Sequence, residues 1–229
     1  MDLVGLTSPE LRATGRGSVL VVPVGSCEQH GPHLPLGTDT VIAERVTEAL
    51  ARVVPGLLVA PTIGIGASGE HAGFPGTLSI GRDALELVLI ELARSADAFR
   101  GVVFVNGHGG NASTLRSAVE LLVAEGRHAA VLSCGVLGGD AHAGRTETSL
   151  MLWLEPSTVQ LDRAEPGVTE PWSEIGRRVI EHGFAAVSAN GVLGDPIGAS
   201  AEEGEQLFAD LVDRLADELA PIVARWSDG

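Results

Sequence analysis

Residues 18 to 25, SVLVVPVG, form an apolar run with no polar alternation, and this feature limits the fold more than any other. A strand with one face in water alternates apolar and polar side chains. A continuous run rich in Val belongs instead to a strand covered on both faces, as in a parallel sheet held between helices. GLLVAP (56 to 61), GVVFVNG (101 to 107) and HAAVLSCGV (128 to 136) supply three further candidate strands.

Helical patterns separate these runs. Thr38 or Asp39 can cap a helix in which Ile42, Val46, Ala49, Leu50 and Val53 recur at helical spacing, until Pro55 and Gly56 stop it. A second helix covers about 82 to 98. NASTLRSAVELLVAEG (111 to 126) opens on a capping Asn and directs Leu115, Val119, Leu122 and Val123 inward. ETSLMLWL (147 to 154) reads as a buried helix ended by Pro156, and 200 to 226 as a final amphipathic helix. Strands alternating with helices predict an α/β fold, a single-domain three-layer αβα arrangement around a mainly parallel sheet. Its ligands are expected beyond the carboxyl ends of the strands. With 229 residues, 45% of them hydrophobic, the chain is long enough for one large core, so residues 1 to 229 are read as one domain. The stretch 157 to 199 is the least readable, and its Pro, Gly and Trp172 could form an arm for subunit contacts.

The loops after the strands collect the ionisable residues. SCEQHGPHLPLGTDT (26 to 40) holds Glu28, His30, His33 and Asp39; NGHGGN holds Asn106, His108 and Asn111; a third loop and the helix behind it hold Asp140, His142 and Glu147. Residues 62 to 81 form a further Gly-rich loop of a length that is usually functional. Grouping several charges without a cation is costly, and mixed imidazoles and carboxylates suit a borderline divalent ion such as Zn, Mn or Fe. A shared carboxylate could bridge two ions.

Several other chemistries drop out. The net charge of −15, dispersed along the chain, disfavours nucleic acid as a partner. The chain has no Lys and no Tyr, which removes Schiff-base, P-loop and Tyr acid/base mechanisms. No apolar run reaches the ~20 residues of a membrane span, and the N-terminus has no leader pattern, so no membrane partner and a cytoplasmic location are expected. Cys27 and Cys134 are read as reduced thiols; a Cys27 nucleophile, and a metal-binding protein without catalysis, remain as alternatives.

The strings GSCEQHGPHLPLGTDT, FPGTLS, NGHGGN and HAGRTETSLML, in this order, resemble the creatininase family of metal-dependent amidohydrolases. The resemblance implies an α/β homo-oligomer, hexameric or octameric, with two divalent ions per chain, Zn and/or Fe, with Mn as a further candidate. It implies that Glu28 ligates one ion and His30 the other, that Asp39 bridges both, and that His108 completes the first. Creatinine-hydrolysing members carry a Glu where Gly110 stands, so Glu147 is taken as its substitute on the second ion, against the alternative of a charge at its helix N-terminus. By the same resemblance His142 lies near the scissile bond, either as the group that protonates the leaving nitrogen or as a hydrogen-bonding neighbour, and Glu147 is counted with it as catalytic. His71, Gly109 and Gly110 are candidate substrate contacts. His33 is expected just outside the ligands, and His128 and His182 at the surface. Gly138 and Gly139, where a Trp and an Asp precede the catalytic histidine of creatinine-hydrolysing members, suggest room for a larger substrate. Within the family the chain looks most like the peptidases of the mycofactocin system, whose implied reaction releases a C-terminal Val-Tyr dipeptide from a modified precursor peptide. The alternative substrate is a small cyclic amide or a formamide.

Overall fold

The computed structural model describes residues 1 to 226. Its centre is a parallel four-stranded sheet of β1 (Val19–Val24), β2 (Leu57–Val59), β3 (Gly101–Asn106) and β4 (Ala129–Ser133), in the order β2-β1-β3-β4. Every residue of β1 and β3 is buried, as their unbroken apolar sequences require. Helices α1 (Ser8–Thr14), α2 (Thr38–Val53), α3 (Arg82–Ser95), α4 (Ala112–Ala124), α5 (Arg145–Leu154), α6 (Trp172–His182) and α7 (Ala201–Arg225) surround it.

Alternation along each strand divides the core in two. Val19, Val21, Val103, Val105 and Leu132 pack with residues of α2, α5 and α7, such as Val46, Leu150 and Leu215. Leu20, Val22, Val102 and Phe104 pack with residues of α3 and α4, such as Leu89 and Leu115. The expected three-layer α/β architecture is therefore what forms. At about 25 cal/mol per Å2 of apolar surface, each fully buried Val or Leu contributes roughly 1.5–3 kcal/mol, so both layers hold the sheet.

Local details depart from expectation. α2 starts from Gly37 at its N-cap, leaving Asp39 in the first turn with its carboxylate free for other partners. Asn111 stands at the N-cap of α4 but makes no capping bond. Instead its side chain accepts from the Ala67 amide at 2.9 Å and donates to the Gly25 carbonyl at 3.0 Å, tying three loops together. Val53 and Val123 face solvent, Val53 because it is the last residue of α2 and Val123 because it lies one position past the apolar stripe of α4. The stretch 157 to 199 contains α6, which packs Ile175 and Val179 on Phe184 and Leu193. No helix among the described residues is long and apolar enough to cross a membrane.

Candidate metal centre

The loops leaving the carboxyl ends of β1, β3 and β4 meet over one spot. Glu28 and His30 come from the loop after β1, Asp39 from the first turn of α2, His108 from the turn after β3, and Glu147 from the first turn of α5. The approach is close enough to need glycine: a Cβ on Gly107 would lie 2.3 Å from the Asp39 carbonyl oxygen. Asn106 frames the turn, accepting from the His108 amide at 3.2 Å and donating to its carbonyl at 2.8 Å.

Two trios form around Asp39. Glu28, Asp39 and His108 make one; His30, Asp39 and Glu147 make the other, and in each trio one ligand atom per residue lies within 4.8 Å of the rest. Asp39 Oδ2 is 3.2 Å from His108 Nδ1, while Asp39 Oδ1 is 3.1 Å from His30 Nε2. Glu147 Oε2 is 3.8 Å from His30 Nε2 and also accepts from the Ala143 amide at 2.6 Å, so it serves its helix end and the cluster together. Ala143 takes a positive φ of 51°, an unusual backbone for a residue other than glycine and one found at functional turns.

The residues present fit a cation. Both carboxylate oxygens of Glu28 are buried without a well-directed hydrogen bond, although His108 Nδ1 and His71 Nε2 come within 3.1 Å of Oε1. Contact without alignment leaves lone pairs unsatisfied, a costly state for a buried carboxylate and an ordinary one for a ligand. Imidazoles mixed with carboxylates are the donor set of Zn, Mn and Fe sites.

The titration pattern has the same origin. Burial, then the Asp39 charge, raises Glu28 above the ordinary carboxylate value. Burial alone would lower His30, yet the charges of Asp39, Glu147 and Glu28 and the bond to Asp39 carry it up to about 10. His108 behaves likewise: burial opposes its charge, but Glu28, Asp39 and Glu70 hold it well above its usual value. Glu147 is pushed by burial to about 7. Protons here stand where positive charge is wanted.

His142 forms a third such group with Glu28 and His30, its Nδ1 3.9 Å from Glu28 Oε1 and its ring 4.3 Å from that of His30. Its Nε2 is 2.8 Å from the Gln29 carbonyl oxygen, which can only accept, so the proton sits on Nε2 and Nδ1 is left free. Burial first, then His30 and His71, keep its pKa well below the usual value. His71 is 99% buried and backs Glu28, stacked on Phe184 at 3.8 Å. His33 bonds Thr148 Oγ1 at 2.9 Å outside the trios, and burial lowers it to about 4. Asp140 caps α5, accepting from the Thr146 amide at 3.0 Å, and does not join the trios. His128 and His182 are exposed as expected. The Cys27 thiol contacts the Gly76 carbonyl at 3.7 Å, and burial raises Cys134 to about 12, which makes Cys134 inert.

Three residues escaped the sequence reading. Gln29 donates through its side-chain amide to the Gly191 carbonyl and to His71 Nδ1, Phe184 supplies the aromatic wall, and Glu70 Oε1 lies 3.3 Å from His108 Nε2. For Glu70, burial would raise the pKa, but the bond and charge of His108 outweigh it and hold the carboxyl below its ordinary value. Gln29 could have been noticed between two ligands; the others have no local signal. Above the trios opens a cavity of about 1400 Å3, bounded by Glu28, His71, Gly109 and Gly110 on one side and by Trp172 and Ile180 of α6 on another.

Comparison with known proteins shows the family and the fold. The family profile "Creatininase: Creatinine amidohydrolase" matches residues 5–219. A mycofactocin precursor peptide peptidase of Mycobacterium ulcerans is 48% identical, covering 97% of this chain and 90% of that protein. Another, from Mycolicibacterium smegmatis, is 50% identical over 91% of this chain and 85% of its own. A creatinine amidohydrolase of Pseudomonas putida is 32% identical over 92% of each chain. Among solved structures, a manganese creatininase superposes with a TM-score of 0.80 at 29% identity, covering 95% of this chain and 96% of that one.

Proposed function

The chain belongs to the creatininase family of hydrolases, and from that premise we propose that it is a two-metal peptidase that releases a C-terminal Val-Tyr dipeptide from the modified mycofactocin precursor peptide. One observation carries the reading: a cavity of about 1400 Å3 opens onto two ligand trios that share Asp39. Pockets for small ligands span roughly 300–1,000 Å3, so this one has room for a peptide end. The identity of 48% and 50% to named peptidases across most of the chain supports the same substrate.

Glu28, Asp39 and His108 would hold one divalent ion; His30, Asp39 and Glu147 the other. Ions bound there supply Lewis acidity, polarising the amide carbonyl and making water a nucleophile near neutral pH. The other steps belong to the side chains. His142, neutral and with Nδ1 free, accepts the proton of the attacking water and then delivers it to the leaving nitrogen, so it acts as base before it acts as acid. His71 holds Glu28 in place from behind. Gly109 and Gly110 line the cavity beside His108, where their backbone N–H groups stabilise negative charge developing on the carbonyl oxygen. The family match, running from 5 to 219, supports a single catalytic unit.

The test is metal analysis of the purified protein together with turnover of a modified peptide ending in Val-Tyr and of creatinine, each with and without chelator. About two ions per chain and chelator-sensitive dipeptide release are expected. Metal with creatinine turnover alone would replace the substrate, and dipeptide release that survives complete metal removal would sink the mechanism.

A further inference from the structure

We propose that Glu70 is a positioning residue that orients His108 towards its cation, and that position 110 is glycine because the Glu70 carboxylate and the His108 ring together occupy the space a side chain there would need. The inference rests on the reading of Glu28, Asp39 and His108 as a metal site.

The two nitrogens of His108 face different surroundings. Nδ1 points into the trio, 3.1 Å from Glu28 Oε1 and 3.2 Å from Asp39 Oδ2. Nε2 points out of it, 3.3 Å from Glu70 Oε1 and 3.4 Å from the Ala67 carbonyl oxygen. An imidazole that ligates through Nδ1 must carry its proton on Nε2. That proton is aligned on the Ala67 carbonyl, and the Glu70 carboxylate beside it, within ion-pair distance, adds a charge that favours this tautomer, holds the ring plane and increases the basicity of the ligating nitrogen. Among the described residues, Glu70 brings the charge to that side, and the Ala67 carbonyl is neutral. Glu70 takes no part in either trio, so ligation does not account for its place against His108.

Its backbone is set for the task. Glu70 sits in the 3-10 turn Gly69–His71, closed by the His71 amide on the Ser68 carbonyl at 3.1 Å and the Ala72 amide on the Gly69 carbonyl at 3.1 Å. His71, the next residue, is itself fixed against Glu28 and Phe184. The Gly-rich loop thus clamps the first trio twice, at Glu28 through His71 and at His108 through Glu70.

Gly110 completes the arrangement. A Cβ built there would lie 2.1 Å from Glu70 Oε1, 2.3 Å from His108 Nε2 and 2.9 Å from the Ala67 carbonyl oxygen. Even an alanine would have to displace the carboxylate or turn the ring. Glu70 and Gly110, on different loops, therefore form one device: the first supplies the charge and the second supplies its room.

The experiment compares the metal-loaded wild type with Glu70→Ala, Glu70→Gln, Gly110→Ala and the double variant Glu70→Ala/Gly110→Ala. Metal retained against graded chelator is read first, then kcat and KM for the substrate identified above, with Tm as a check of folding. Glu70→Ala should weaken cation retention roughly 10–100-fold and lower kcat more than it raises KM. Glu70→Gln, which keeps an acceptor oxygen, should recover part of the loss. Gly110→Ala should reproduce the alanine phenotype, and the double variant, in which the added methyl group still meets His108 Nε2, should retain cation no better than Gly110→Ala. Wild-type retention in Glu70→Ala would overturn the proposal while leaving the metal site intact. A wild type that binds no metal would overturn both. If Gly110→Ala does not fold, the two Glu70 variants still decide.

Discussion

Asp39 does the most with a single side chain. One oxygen faces each trio, and Ser26 Oγ donates to Oδ2 at 2.7 Å, fixing the carboxylate plane. Asp39→Ala is therefore expected to lose both ions rather than one and to drop kcat/KM at least 100-fold, as measured by elemental analysis and turnover of the same samples. His142→Ala should behave differently. It touches neither bridging oxygen, so metal content should stay near wild type while kcat falls by about 10²–10⁴, the usual worth of a general acid/base; loss of metal alongside activity would show it to be a ligand. These residues could be found in the sequence because each stands in a short polar string at a strand end, with charges that a core cannot tolerate alone. Glu70 and Phe184 could not be found that way. Each acts through a neighbour far along the chain, and nothing in GEHAG or GFAAV marks a contact that only the folded loops create.

The elements explain why a site forms there at all. Parallel strands leave all their carboxyl ends on one edge of the sheet, so the loops after β1, β3 and β4 have no choice but to meet. Apolar runs made the strands legible, and apolar periodicity made α2 to α5 and α7 legible to within a few residues. α6 was missed because its flanks carry Pro and Gly and its apolar residues are divided between two tasks. Ile175 and Val179 are buried, while Trp172 and Ile180 stay exposed along the cavity wall. Helical spacing recognises one buried stripe, and α6 has a half-used one. One tight join between elements is the turn after β3 against the start of α2. Gly107→Ala would place a methyl group 2.3 Å from the Asp39 carbonyl oxygen, contact that backbone cannot relieve by a rotamer change. It should lower stability by about 1–3 kcal/mol, as overpacking does. It should also weaken metal retention, because the displaced atoms belong to two ligand-bearing segments. Thermal melts with and without chelator separate the two effects: a variant destabilised equally in both conditions would show that the join supports the fold alone.

For the whole molecule, the cluster of buried charges makes stability depend on both pH and metal, and the two dependences have opposite signs. In the metal-free chain His30 is raised from 6.5 to about 10 by its carboxylates. A group raised on folding contributes stability that is complete below its unfolded value of 6.5 and is lost as pH rises through about 10. Glu147, raised from 4.5 to about 7, acts in the same direction over its own window. His33, lowered to about 4, and His71, lowered to about 3, act the other way: their contribution is complete above 6.5 and fades as pH falls. The metal-free protein should therefore be most stable near pH 6 and lose Tm steadily from there to pH 10. Bound cations replace the protons on His30 and His108, and ligands hold cations better when deprotonated. The loaded protein should then gain stability relative to the metal-free one as pH rises, by about 2.7 kcal/mol when free metal is 100 times its dissociation constant. Calorimetric melts at pH 6, 8 and 10, with metal and with chelator, should diverge with pH. Parallel curves would mean that the buried imidazoles and carboxylates do not exchange their protons for a cation, and the reading of this centre as a metal site would fail with them.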